Sequence, residues 1–428
     1  MKILNLSTYD LQGGAARAAY RLHRGLKSIE LDSWMMVQTQ TSDDPTVISS
    51  QGDIQKNWIK LRPGLSKIPV LKYRQRQRRI FSPQWLPDCL FQAVQAIAPD
   101  LINLNWVCDG FMQVETIAQL SNRLHLPIVW TLMDEWSFTG GCHYTGQGLD
   151  VPVCDRYQDS CGNCPTLNSQ KKNDLSHQIW KRKQKIYNKL QISIVSPSKW
   201  LTEQARQSSL FKDFSIQTIP YGLDTQCYRP RDPKLLRDIL DLPQNKLLVA
   251  FGAFNATRDP RKGWTLLQQA LVNLKQSGWH DRIHLVVFGS SHGSDITGFP
   301  THFLGSVADD RLLALIYGAV DVMVVPSVQE AFGQTASEAI ACGVPVVAFD
   351  HTGVADIVNH KFNGYLAKPF DTDDLARGIR WVLTTDQPLG QQARQVAEQR
   401  FSLTTQAYAY RDLFESLLAD RRPHGTSA

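Results

Sequence analysis

Short apolar runs alternate with stretches whose apolar residues recur at helical spacing, and the alternation plays out twice along the chain. In the first half, strands are predicted at 2–7 (KILNLS), 33–38 (SWMMVQ), 100–106 (DLINLNW), 127–133 (PIVWTLM), 192–197 (ISIVSP) and 215–220 (SIQTIP). Helices fall near 15–27, 111–124, 171–190 and 198–208. A second series has strands at 246–254 (KLLVAFGAF), 284–289, 321–326, 345–349 and 364–367, with helices near 264–276, 309–318, 334–342, 354–359 and 372–385. Strands made almost wholly of Val, Ile and Leu between helices belong in parallel sheets covered on both faces. Two such series predict an α/β chain of two doubly wound domains, residues 1–222 and 223–402. Residues 222–245 carry three prolines and many charges and read as a linker with a short helix. An amphipathic helix in the tail, 403–428, is expected to pack back toward the N-terminal domain.

A chain of 428 residues exceeds one ordinary core, in keeping with two domains. Its 43% hydrophobic and 20% charged content exclude disorder. No apolar run approaches the ~18 residues of a membrane span. Asn5, Ser7 and Asp10 interrupt the opening apolar stretch, which therefore reads as a strand and not a signal peptide, and a cytoplasmic location is expected. Charge is uneven: residues 1–210 hold 25 Lys and Arg against 17 Asp and Glu, whereas residues 211–428 hold 21 against 23. A basic N-terminal half suggests an anionic partner. Its sharpest cluster, Lys72, Arg74, Arg76, Arg78 and Arg79, is either a solvated face or a peripheral contact with an anionic membrane at its inner face. Nucleic acid is disfavoured, because no nucleic-acid motif accompanies the charge.

The chemistry concentrates in "QEAFGQTASEAIACGVPVVAFDHTGVADIV", 329–358. A strand ending at Pro326 leads through a loop into a helix beginning near Gln334. The amides of Gly333, Gln334 and Thr335 lack intrahelical acceptors and sit at the positive end of the helix dipole, which suits a phosphate. Glu330 in the loop can reach over the same pocket, and Glu338 lies one turn into the helix with its side chain tilted back. Carboxylates accept from vicinal hydroxyls, so the stretch meets both needs of a nucleotide sugar. The alternative is that the acids only complement the helix dipole. After the first strand of the second domain, "FNATRDPRKGW" supplies Arg258, Arg261 and Lys262, which either neutralise a departing diphosphate or are solvated loop cations. Gly13 and Gly14 follow the first strand of the chain and let backbone approach a phosphate. They do not form GxGxxG, so hydride transfer is disfavoured.

These residues resemble the family 4 retaining glycosyltransferases, which have the GT-B fold of two Rossmann-like domains facing a central cleft. "GGAARAAYRLHRGL", "VSPSKWL", "IPYGLDTQCYRP", the "RKGW" turn and "NGYLA" support the likeness. "TLMDEWSFTGGCHYTG" followed by "CGNCPTL" is similar to members that assemble bacterial exopolysaccharide and colanic-acid-type polymers. The resemblance implies a nucleotide-sugar donor, a lipid-linked or oligosaccharide acceptor, and hexosyl transfer with retention and without a metal cofactor. It implies that Lys262 and an arginine, Arg258 with Arg261 competing, hold the diphosphate. Glu330 would contact the donor sugar and phosphate region, Glu338 the ribose hydroxyls, Gly333, Gln334 and Thr335 would lend amides, and Gly13 and Gly14 would approach the phosphates. Met133 and Asn105 stand where the family commonly has histidine, next to Asp134 on the sugar or acceptor side. Methionine cannot donate to a sugar hydroxyl. Altered donor specificity is the first reading; a silent nucleotide-sugar-binding subunit and a nucleotide-sugar epimerase are the alternatives. "DTDD" at 371–374 has the look of a metal-binding DxD but sits at a helix start and reads as an N-cap cluster.

Of eight cysteines, Cys89, Cys108, Cys227 and Cys342 lie among apolar segments and read as buried small residues. Cys142, Cys154, Cys161 and Cys164 gather in an insertion at 137–168. The Cys-Gly-Asn-Cys spacing suits a zinc knuckle, and His143 could replace one thiolate. A structural zinc is favoured over disulfides in a reducing compartment, with free thiols the third possibility.

Overall fold

The computed structural model describes residues 1–50, 56–74, 76, 79–146, 153–291 and 298–419. Contacts divide the chain into two units: 1–145 with 153–220 and 406–428, and 146–152 with 221–405. In the first unit, seven strands among the described residues form one parallel sheet: β1 (Lys2–Tyr9), β2 (Asp32–Thr39), β3 (Val47–Ser49), β4 (Leu101–Leu104), β5 (Ile128–Thr131), β6 (Ile192–Ser196) and β7 (Ile216–Thr218). Their spatial order is β3-β2-β1-β4-β5-β6-β7. Six strands form the parallel sheet of the second unit: β8 (Leu247–Gly252), β9 (Ile283–Phe288), β10 (Thr301–Phe303), β11 (Val322–Val325), β12 (Val346–Phe349) and β13 (Gly364–Ala367), in the order β10-β9-β8-β11-β12-β13. Both units are therefore doubly wound, the expected GT-B class of domain. The predicted strands are present, and the edge strands β3 and β10 are additions. Each is only three residues long, too short for a periodic signal. The predicted helix at 354–359 is instead a 3-10 turn, Gly353–Asp356. Asp371 caps the helix Thr372–Thr384 by accepting from the Asp374 N–H, so the DTDD run starts a helix.

The polar residues that interrupt β1 have partners inside the first unit. Asn5 Nδ2 donates to Ser33 Oγ on β2 at 3.0 Å, Asn103 Nδ2 on β4 donates to Asn5 Oδ1 at 2.9 Å, and Thr131 Oγ1 on β5 donates to Asn103 Oδ1 at 2.8 Å. This buried chain ends at the Tyr410 hydroxyl, 2.8 Å from Thr131 Oγ1, on the helix Leu403–Ala419. A one-residue slip of any strand would leave several of these groups unpaired, so the chain fixes register as well as satisfying itself. The same helix buries Ala407, Tyr410 and Phe414 with Ile3, Leu22, Leu101, Val129 and Val195 in one apolar cluster.

In the second unit the strand order reverses between β8 and β11, so the loops that leave their carboxyl ends run side by side. Their approach is very close. Gly263 has φ +73°, and a Cβ built there would lie 1.8 Å from the Pro326 carbonyl oxygen. The Val328 N–H donates to the Arg261 carbonyl at 2.7 Å, which joins the two loops by backbone. Only glycine meets both the conformation and the contact.

Gly263→Ala is expected to destabilise the second unit by more than about 2 kcal/mol, read as a lower denaturant midpoint, because the methyl must displace backbone from an already disfavoured φ. Phe414→Ala should cost about 3–5 kcal/mol in the unfolding transition of the first unit; an unchanged midpoint would show that the C-terminal helix contributes nothing to that core.

Candidate functional site

Lys262 closes a 3-10 turn, Pro260–Lys262, that Asp259 caps by accepting from the Arg261 N–H. With Gly263 pressed on Pro326, the turn delivers Lys262 to the loop after β11. There its Nζ stands 2.5 Å from Glu330 Oε2, and both side chains are about four-fifths buried. Two residues singled out from separate stretches of the sequence are thus one ion pair. Arg261 is engaged elsewhere: its guanidinium grips Asp259, with Nη2 at 2.6 Å and Nε at 3.1 Å. Arg258 is exposed on the same loop, and its backbone N–H donates to the Asn255 carbonyl at 2.9 Å. Of the two arginines, Arg261 thus has a carboxylate partner on its own turn.

Gly333 begins the helix Gln334–Ala341 with φ +103°, and a Cβ there would meet Val354 at 2.6 Å. The amides of Gln334 and Thr335 follow in the first turn, where no intrahelical acceptor exists. The Gly353 N–H donates to the Glu330 carbonyl at 2.9 Å and holds the loop against the following turn. Glu338 is only 5% exposed, and its Oε2 accepts from the Tyr317 hydroxyl at 2.9 Å. Burial, then the neighbouring Glu338 charge, pushes the Tyr317 pKa well above its ordinary value, so the phenol stays a neutral donor. Tyr317 was not legible as a site residue, since its place on the apolar side of the helix Asp310–Ala319 made it simply core.

The first unit has its own reversal of strand order, between β1 and β4. Gly13, with φ +88°, caps the helix Gly14–Ser28 after β1, and Gly14 is exposed. Asn105 follows β4; it is 2% exposed and its Oδ1 has no hydrogen-bond partner among the described residues, while Nδ2 reaches the Asn103 and Leu6 carbonyls at 3.3 and 3.4 Å. Met133, after β5, is 9% exposed. Asp134 turns inward: Oδ2 accepts from Trp106 Nε1 at 2.8 Å and lies 2.6 Å from His143 Nδ1, and Oδ1 accepts from the Trp136 N–H at 2.8 Å. Burial raises its pKa, but the His143 charge and these donors outweigh burial and hold it below the ordinary carboxylate value. His143 Nε2 lies 2.8 Å from Ser82 Oγ. With both ring nitrogens occupied, His143 is unavailable as a metal ligand, which corrects its reading as a spare thiolate substitute. Ser82 and Trp106 lie far from Asp134 in sequence, and no local pattern marks them.

Cys142, Cys154, Cys161 and Cys164 all line one small cavity of about 20 Å³. Cys142 Sγ and Cys164 Sγ are 3.9 Å apart. Backbone N–H groups of Arg156, Gly140 and Leu167 approach the sulfurs of Cys154, Cys161 and Cys164 respectively. Among the described residues no group of three or more His, Cys, Asp or Glu is assembled to hold a metal ion, and residues 147–152 of the insertion lie outside the described residues. Cys108 and Cys342 are buried as expected, but Cys89 is exposed and Cys227 intermediate. In the basic cluster, Lys72 and Arg74 are exposed, Arg76 and Arg79 are intermediate, and Arg78 lies outside the described residues. Among the described residues no helix is long and apolar enough to cross a membrane.

Residues 244–400 match the family Glycosyl transferases group 1. The chain is 29% identical over 225 residues to D-inositol 3-phosphate glycosyltransferase 2 of Catenulispora acidiphila, which is 48% of this chain and 52% of that protein. It thus spans about half the length of that relative. It is 24% identical over 378 residues to WcaC of Escherichia coli, named as a colanic acid biosynthesis glycosyl transferase, covering 85% of this chain and 86% of that one. In fold it is similar to HepE of Anabaena, solved in complex with UDP-glucose, with a TM-score of 0.65, 18% identity, 97% of this chain and all of the other covered. Lys262, Glu330, Gly333 and Glu338 all fall within the matched region, residues 244–400, which makes up most of the second unit.

Proposed function

We propose that this protein is a retaining hexosyltransferase that moves sugar from a nucleotide donor to a lipid-linked or oligosaccharide acceptor in bacterial polysaccharide assembly. The observation that carries the reading is the Lys262–Glu330 pair, 2.5 Å apart, at the reversal of strand order and beside the helix start at Gly333. Ligands of open α/β sheets bind at such reversals. The Gln334 and Thr335 amides with Lys262 supply positive potential for a diphosphate, and Arg258 on the same loop can add to it. Glu338, held by Tyr317, is an acceptor for ribose hydroxyls, and Glu330 for the sugar. In the reaction the acceptor oxygen bonds to the anomeric carbon on the face from which the diphosphate leaves. The carbon–phosphate-oxygen bond breaks, and the acceptor proton passes to the departing diphosphate. Lys262 balances the charge that builds there, so no metal is required of the mechanism.

One observation favours a second reading, a nucleotide-sugar-binding subunit without turnover: Met133 cannot supply the hydrogen bond that a histidine would.

UDP-glucose is the first donor to test, given the fold likeness to HepE. A donor at 100 times its dissociation constant should stabilise the protein by ~2.7 kcal/mol, read as a thermal shift. Lys262→Ala should lower kcat for donor hydrolysis and transfer about 100–1000-fold while donor still binds. Wild-type protein that binds nucleotide sugars but never turns them over would establish the second reading. Met133→His is expected to shift donor preference or raise kcat by about tenfold; a kinetic profile identical to wild type would place this side chain away from the sugar.

A further inference from the structure

Residues 54–87 contain nine Lys and Arg and no Asp or Glu. Of the fourteen large apolar side chains exposed among the described residues, six fall at 58–85: Trp58, Leu61, Ile68, Leu71, Ile80 and Trp85. The helix Lys56–Ser66 and the 3-10 turn Ile68–Lys72 carry the first four, at 50, 57, 45 and 58% exposure. Their orientation inverts that of an ordinary surface helix. Arg62 is buried, donating from Nε to the Gly110 carbonyl at 2.9 Å and from Nη2 to the Pro87 carbonyl at 2.6 Å. Ile59, Ser66 and Val70 are buried with it, which leaves the tryptophan and leucines outward. Trp85 Nε1 donates to the Ser66 carbonyl at 3.1 Å, which fastens another exposed ring beside the end of the helix. Lys60, Lys67, Lys72 and Arg74 are exposed on the same segment.

We propose that residues 58–74 form a docking face for an anionic lipid bilayer. Outward Trp and Leu can enter the boundary between headgroups and acyl chains, while lysines keep their stems on the apolar surface and their ammonium groups among phosphates. Charge complementarity decides between occupants. A protein partner selects against lysine at the centre of its interface, whereas here the cations are interspersed with the apolar residues and no carboxylate accompanies them. A soluble surface of this composition would also be an association hazard. The inference is independent of donor chemistry, because its test requires no glycosyl transfer.

The full chain is sedimented with vesicles of phosphatidylcholine alone or mixed with phosphatidylglycerol. Binding is expected to the mixed vesicles, to weaken with added salt, and to be at least tenfold weaker on the neutral ones. Lys67→Gln with Lys72→Gln should weaken binding about fivefold per cation removed. Trp58→Ser with Leu71→Ser should weaken it about tenfold or more. Both variants alter exposed positions and should keep the wild-type unfolding midpoint. Equal binding to neutral and anionic vesicles, or wild-type binding by either folded variant, would overturn the proposal. So would a concentration-dependent dimer that only the Trp58→Ser, Leu71→Ser variant loses, since the face would then serve self-association.

Discussion

The candidate site depends on a backbone contact that carries no chemistry of its own. Gly263 lies against the Pro326 carbonyl, and the Val328 N–H reaches the Arg261 carbonyl. Together they lock the loop after β8 to the loop after β11. Lys262 and Glu330 are 68 positions apart in the chain, yet this contact leaves them little choice but to meet. An ion pair that keeps partial contact with water contributes at most about 1 kcal/mol to stability. Its consequence is therefore positional: Glu330 fixes where the Lys262 ammonium stands and limits the freedom of a long side chain. Gly333 repeats the device on the other side of the loop, where a missing Cβ lets Val354 close on the helix start.

Both sheets were legible because strands buried on two faces are almost purely apolar and the intervening helices carry a clear stripe. Two of the misses have identifiable local causes. The edge strand β3, in "TVISS", buries little and so has little apolar signal. The helix Lys56–Ser66 contains Pro63 and turns apolar residues outward, which defeats both the propensity and the pattern that reveal a helix. The candidate site was legible to the same extent. Charged residues on glycine-bounded loops stand out, so Lys262 and Glu330 could be named. Tyr317, Ser82 and Trp106 could not, because a buried polar tip on an otherwise apolar side chain looks like core until its partner is seen.

Ten residues beyond Met133, the His143 imidazole is committed to the protein. That ring is fully buried, held by Asp134 on one nitrogen and Ser82 on the other, and stands at 42° to the Trp106 ring and 30° to the Trp136 ring. A donor with both nitrogens committed has no hydrogen to offer a sugar hydroxyl. Asp134 is likewise turned to the protein. Asp134, His143 and Ser82 thus satisfy one another, and the polar chemistry of this loop is spent inside the first unit.

Formal charge also needs sorting by place before it says anything about partners. Several cations of the basic N-terminal half are wholly or partly withdrawn from its surface. Lys183 is fully buried, donating to the Trp136 and Thr139 carbonyls with its ammonium 3.6 Å above the Trp136 ring, and burial pushes its pKa down to about 7. Arg62 is enclosed by carbonyls, and Arg182 is clasped by Glu115 and the Gln84 carbonyl. These cations organise loops. Removing such groups from the count leaves the acid-free stretch at Lys60, Lys67, Lys72 and Arg74 as a concentrated exposed excess. A field screened within about 8 Å in physiological salt acts only where cations are this close and this exposed, so local clustering, not the sum over the domain, determines where an anionic surface could be felt.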